Sequence, residues 1–361
     1  MIRTTSAFNA ILTRCRLSLG INYPGTRRYR AEPIFEAEVR LIQELGHEEF
    51  LVRAVEYGDE LRSRKAAFHM IGAAGSSLIF YLLGFSKVDP VRFGTFFQRL
   101  WTNKVRPPTL FFVLLPLDRQ VWNDLPSPPN ITVHPMTALE AVPELIRRRL
   151  PKTALRESEI PVFEAIQRGD TAGVFQLESE SIRPLLSQLG PSTTKGLATV
   201  TALEQITHSH PAGASECLQR LVASKTHESA RLKTKGESLP GRPFLFQEGI
   251  MSLLHRQAGL PWDQTYRFIK AAAISRMTGE HDLWKPTLAG LHSRYSDNAE
   301  AVFRNVIAAS GWASCRAHHA ANSITSYRAA YYRTFHRREF EDALQEVSDW
   351  ERGSDGEETD E

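Results

Sequence analysis

Residues 171–179 read Thr171-Ala172-Gly173-Val174-Phe175-Gln176-Leu177-Glu178-Ser179. On residue types alone, Val174-Phe175-Gln176-Leu177 is a short half-buried segment, too brief for its periodicity to choose between helix and strand. Its surroundings are easier to read. Leu139, Val142, Leu145 and Ile146 recur at helical spacing, as do Val302, Phe303, Val306 and Ile307, and then Ile324, Tyr327, Tyr331 and Phe335. The chain beyond Ile131 is therefore expected to be mainly helical. Upstream, Thr109-Leu110-Phe111-Phe112-Val113-Leu114-Leu115 is an uninterrupted apolar run and predicts a buried strand. Pro107-Pro108 precede it, and prolines around Ser127 mark a boundary or tight crossing. In residues 33–55, Phe35, Val39, Ile42 and Leu45 have helical spacing, Gly46 breaks the run, and Phe50-Leu51-Val52 resumes it. That pattern predicts a helical hairpin or a bent helix. No internal repeat is evident.

The bulk properties narrow the class. A length of 361 residues allows a substantial core and two or three domains. With 42% hydrophobic and 24% charged residues the chain reads as globular, and no apolar run reaches the ~18 residues of a membrane span. Cys15, Cys217 and Cys315 are far apart and form no C-x-x-C pair, which argues against a zinc site and for a reducing cytoplasm. Residues 342–361 hold nine acids and the single base Arg352, a net of −8; the total is +3, so residues 1–341 carry +11. A basic body beside an acidic tail suits nucleic-acid binding, with a tail that competes for the same surface; a solvated tail without a role is the alternative. The first 31 residues contain six arginines and no acid, superficially like an organellar transit peptide.

The opening stretch closely resembles the T-T-G-V-F-Q-L-E-S signature of the bacterial DNA polymerase III alpha subunit, the C-family replicative polymerases, with one change in nine positions. The arginine-bearing helix that follows it in the family reads here Glu180-Ser181-Ile182-Arg183-Pro184-Leu185-Leu186. Further likenesses lie on both sides. Leu12, Cys15, Gly20 and Tyr23 resemble the family's lead-in, which assigns the basic start to the domain rather than to a transit peptide. Glu38-Val39-Arg40-Leu41-Ile42 stands for E-L-x-V-I, and Gly72-Ala73-Ala74-Gly75-Ser76-Ser77-Leu78 for the end of G-R-G-S-A-A-G-S-L. A small-residue turn opening into an apolar helix is also a possible phosphate cradle, since free amides and the positive dipole end face outward. Phe246-Gln247-Glu248-Gly249-Ile250-Met251 is similar to Y-Q-E-Q-V-M in the fingers, and Gly311–Phe340 matches the family without a gap.

The resemblance implies template-directed nucleotidyl transfer, which needs two divalent metals roughly 4 Å apart held by several carboxylates. In the family two of these lie on a strand P-D-I-D-V-D-F, where alternation turns both to one face. The matching positions here are Thr109, Phe111 and Val113, and the counterpart of the third catalytic aspartate is His134. None is a carboxylate, and Mg²⁺ requires anionic oxygen ligands. Ile71 and Ala73 replace the arginine and serine of the G-R-G-S turn, and Gln205-Ile206-Thr207-His208 stands where the family has R-P-G-P. Residues 118–132 occupy the place of much of the palm and the whole thumb. His208-Ser209-His210 reads as a loop, and the adjacent His318 and His319 face different directions on a helix and cannot form a metal pair.

The fold expected is α+β and mainly α, a remnant of a nucleotidyltransferase-type palm followed by a helical fingers domain. Its divisions are a basic lead-in at 1–31, a palm remnant at 32–140 with the thumb missing, a fingers-like domain at 141–344 and a disordered acidic tail at 345–361. No catalytic or metal-binding residue is assigned. Nucleotide or DNA contacts are carried over to Arg99, Gln176, Arg183, Lys270, Arg276, Arg316 and His318. The function implied is a catalytically inactive accessory in DNA replication or repair, cytoplasmic, with DNA or a polymerase subunit as partner, no membrane and no cofactor. The alternative is DNA-directed synthesis, retained or reconstituted with another subunit, and Mg²⁺ would belong to that reading alone.

Overall fold

The computed structural model describes residues 2–102, 104–153, 155–156, 158–227, 244–274 and 282–354. Helices α1 (Ile2–Asn22), α2 (Arg28–Leu45) and α3 (Glu48–Ser63) lead into strand β1 (Phe68–Ile71) and the short helices α4 (Leu78–Leu82) and α5 (Pro90–Phe93). Strand β2 (Leu110–Leu114), helix α6 (Arg119–Asn123) and strand β3 (Ile131–Pro135) follow. Everything later among the described residues is helical or irregular: α7 (Ala138–Arg149), α8 (Ile160–Gln167), α9 (Ile182–Leu189), α10 (Thr194–Ser209), α11 (Pro211–His227), α12 (Gln247–Ala258), α13 (Trp262–Ile274), α14 (Trp284–Tyr295), α15 (Ala299–Ser310), α16 (Arg316–Phe335) and α17 (Arg337–Ser354). The fold is mainly helical, and no described helix is long and apolar enough to cross a membrane.

The sheet has β2 at its centre, antiparallel to β1 and parallel to β3. Alternation along β2 sends Leu110, Phe112 and Leu114 into a first core with Cys15, Phe35, Leu51 and Phe80. Val113 faces a second core, built with Val142, Ile146, Phe163, Leu186, Leu203, Tyr327 and Phe340. A third cluster, around Met251, Leu254, Phe268, Leu291 and Val306, holds α12–α15 together. One central strand thus serves two cores, which explains why residues 109–115 read as continuously apolar.

Residues 171–179 form a compact turn between α8 and α9. Val174 and Leu177 are fully buried in the second core. The Thr171 hydroxyl donates to the Leu177 carbonyl at 2.5 Å, and the Gly173 amide donates to Glu178 Oε2 at 3.1 Å. Gly173 has φ +72°, and a Cβ there would stand 2.6 Å from a Leu344 methyl of α17. Its identity follows from both constraints.

Two expectations need revision. His208 closes α10 rather than lying in a loop, with Glu204 one turn back at 3.0 Å. Helicity also continues through Ser354, although composition predicts disorder from 345. Ala343 and Val347 are buried in the second core and Arg149 pairs with Glu346, so an apolar stripe within the acidic run docks it on α7. Residues 355–361 lie outside the described set.

Candidate nucleic-acid interface

The positions read in the sequence as counterparts of the metal-binding aspartates, Thr109, Phe111, Val113 and His134, hold no carboxylate. Val113 is buried, whereas Phe111 is 37% exposed and stacks on His134 of β3, with ring centroids 5.9 Å apart and planes 18° from parallel. The two rings cover one another across the β2–β3 pair. Among the described residues, no group of three His, Cys, Asp or Glu side chains is arranged to hold a metal ion.

The small-residue turn at 72–76 does not offer a phosphate cradle. The fully buried Glu38 of α2 places Oε2 2.8 Å from the Leu78 amide and 3.3 Å from that of Ile79, and its Oε1 accepts from Trp101 Nε1 at 2.9 Å. The chain's own carboxylate therefore already occupies the amides at the start of α4. Burial pushes the Glu38 carboxyl above the usual range, against the pull of these bonds.

Four of the residues singled out in the sequence come together around the start of α12. Arg99 donates through Nε to Gln247 Oε1 at 3.0 Å, and its guanidinium lies over the Tyr266 ring, 5.4 Å from the centroid. Lys270, one turn along α13, approaches the same ring to 5.7 Å with an exposed side chain. Glu248, fully buried, accepts from the Arg316 amide at 3.0 Å and so fixes the first turn of α16. The Arg316 guanidinium donates to the Gly94 carbonyl at 2.8 Å and lies over Phe246 at 4.9 Å. Lys195 is close enough that, after burial, Arg316 is the cause holding its pKa below the ordinary lysine range. His318 accepts at Nε2 from Asn322 Nδ2 at 3.2 Å; burial depresses its pKa, Glu140 opposes the shift, and Arg99 adds to it. The result is a set of cations from α13, α16 and the turn at residues 97–99, backed by aromatic rings.

Gln176 and Arg183 share no described contact with that group. Gln176 is exposed at φ +61°, a left-handed conformation that costs a non-glycine residue on the order of 1 kcal/mol. Arg183 is exposed and reaches the Glu178 carbonyl at 3.4 Å. Arg276 lies outside the described residues. Sequence reading gave no role to Gln247, Glu248, Tyr266 or Lys195. Glu248 carried the one available signal, a carboxylate inside an otherwise uncharged motif.

A second polar group sits between β1, α7 and α16. His69 Nε2 lies 3.2 Å from Glu140, and Arg147 Nε 2.7 Å from Glu144. Lys87 Nζ is 2.9 Å from Glu144 Oε1, an ion pair off the hydrogen-bonding axis. Burial alone would raise the Glu144 carboxyl, but Lys87 and Arg147 overcome it and hold it well below the usual carboxylate range.

Three buried imidazoles carry a pH dependence. Burial pushes His69, His318 and His319 below the ordinary histidine value, His319 to about 3. His319 Nε2 faces the Gln205 Oε1 acceptor at 2.9 Å and Nδ1 faces the Thr201 hydroxyl at 3.1 Å, which suits a neutral ring protonated at Nε2. The unfolded chain takes up protons near pH 6.5 while the folded chain does not. Stability is therefore intact above that pH and falls below it, by about 1.4 kcal/mol per pH unit for His319 down to about pH 3, with His69 and His318 acting in the same direction. The depressed Glu140 and Glu144 add losses only below about pH 4.5. Urea midpoints should drop between pH 6.5 and 5; a flat profile would contradict the neutral assignments.

Residues 136–286 match the bacterial DNA polymerase III alpha subunit finger domain. The error-prone DNA polymerase of Vibrio campbellii is 26% identical over 188 residues, 51% of this chain and 18% of that protein. The DNA polymerase III subunit alpha of Halalkalibacterium halodurans is 25% identical over 223 residues, 58% of this chain and 19% of that one. That of Bacillus subtilis is 24% identical over 208 residues, covering 54% and 18%. This chain is a relative of the bacterial DNA polymerase III alpha subunit. It matches about a fifth of the length of these curated relatives.

Proposed function

We propose that the protein is a non-catalytic, DNA-associated relative of the alpha subunit, acting in the cytoplasm beside a replicative or repair polymerase. One contrast carries this reading: Phe111 stacked on His134 at the carboxylate positions, against Arg99, Lys270 and Arg316 retained on aromatic supports. Phosphoryl transfer without metal-holding carboxylates lacks the charge that positions two cations. Backbone recognition needs only cations and stacking surfaces, and the +11 carried by residues 1–341 favours it. The remnant palm would then be a scaffold joining the sheet to the fingers-like helices.

Fluorescence anisotropy with a labelled primer–template tests this. Affinity should fall linearly on a log–log plot against salt, and Lys270→Ala should reduce the slope by about 1. Absent binding, or binding indifferent to salt, would contradict the proposal.

A further inference from the structure

Gln247, the first residue of α12, is tied to two distant segments of the chain. Its Nε2 donates to the Ala313 carbonyl at 3.0 Å and its amide to the Ser314 carbonyl at 2.9 Å. The Ser314 amide returns a bond to the Leu245 carbonyl at 3.2 Å. Together these bonds lock the half-buried Gln247 against the loop that leads into α16. The atom left over is Oε1, which accepts from Arg99 Nε at 3.0 Å. Arg99 comes from the turn at residues 97–99, and its neighbour Phe96 packs on Trp262 of α13 with ring centroids 5.2 Å apart.

Two contacts therefore hold the Arg99 guanidinium. Tyr266 supports it from one side, and Gln247 anchors its Nε. Nη1 and Nη2 donate to no described residue. The Nη1–Nη2 edge, whose fork geometry matches a phosphate, is thus held in place and left open. A guanidinium without an anchor would lose rotamer freedom on binding, which weakens affinity by about fivefold. Glu248, the next residue, acts differently. It holds Arg316 through the backbone amide, so replacing it would disturb the first turn of α16 rather than one side chain.

We infer that Gln247 is a positioning residue for DNA binding, holding Arg99 so that its Nη1–Nη2 edge meets a backbone phosphate without rearrangement. The inference rests on the DNA-association reading above and adds the residue that orients one of its cations. The effect of Gln247 on binding runs through Arg99, which separates it from a role in packing.

A double-mutant cycle on a labelled primer–template, followed by fluorescence anisotropy, tells these roles apart. Gln247→Met keeps the shape of the side chain and removes both of its hydrogen bonds, and circular dichroism checks that each variant is folded. It should weaken binding about fivefold in the wild-type background and by less than about twofold when Arg99 is already alanine. Arg99→Ala should itself lower the salt slope by about 0.9, the value for one phosphate. Arg99→Lys provides a test that does not depend on Gln247→Met folding. It keeps the charge, loses the Nε donor and the fork, and should bind about fivefold more weakly with the salt slope retained. If Gln247→Met weakens binding equally in both backgrounds, or in neither, the inference is overturned while DNA association stands. Wild-type affinity in Arg99→Ala or Arg99→Lys overturns it as well. If the wild type shows no salt-dependent binding, the DNA-association reading falls and the inference with it.

Discussion

Replacing Glu38 with leucine is expected to destabilise the protein by about 4 kcal/mol, because three buried donors lose their acceptor at once. The Leu78 and Ile79 amides and the Trp101 indole all converge on this carboxylate, and Trp101 itself is buried in the first core. No water reaches the side chain to substitute, since Glu38 is fully buried. Glu38→Gln should cost less: its amide oxygen can still accept, and burial already favours an uncharged carboxyl at this position. Urea denaturation of both variants measures the difference. A leucine variant within about 1 kcal/mol of wild type would mean the three donors find other partners.

Glu144→Leu is the second large effect. It would leave Lys87 buried at 11% side-chain exposure without its counter-ion, a loss of about 3–5 kcal/mol. Lys87→Met alone should cost less, because Glu144 keeps Arg147 at 2.7 Å and Arg328 at 3.8 Å. The double variant Lys87→Met/Glu144→Leu should recover much of the loss by removing both charges. The double-mutant cycle gives the coupling directly, and strict additivity would show that the two side chains act independently. This pair joins the segment between α4 and α5 to α7 and α16, so its loss should loosen the sheet from the helices behind it.

Local pattern made a good part of this fold legible. The apolar run at 109–115 announced a buried strand, which holds for all of β2 but Phe111, and Gly46 separated two helices whose inward stripes the spacing had already marked. Long-range partners were not legible. Glu38 lies 40 residues from Leu78, and nothing local to either shows that a carboxylate caps that turn. The small residues at 72–76 suggested an anion site because sequence cannot reveal that the chain supplies its own anion. The acidic run after 341 hid a docking stripe because charge dominated its composition, while Ala343 and Val347 carried the packing. Arg99, Lys270, Arg316 and His318, carried over by resemblance, lie near one another in the fold, while Gln247 and Glu248, quoted only as part of a motif, were given no role in holding them. The left-handed backbone of Gln176 is visible only in three dimensions.

The central claim is that a fingers-like scaffold persists here without polymerase chemistry. Primer extension on a defined template with either Mg²⁺ or Mn²⁺ tests it most directly. On the proposed reading, in which Thr109, Phe111, Val113 and His134 stand for the metal-binding carboxylates, the purified protein should add no nucleotide above background. Template-dependent extension that tracks the protein through purification would contradict the claim and return the chain to the active polymerases.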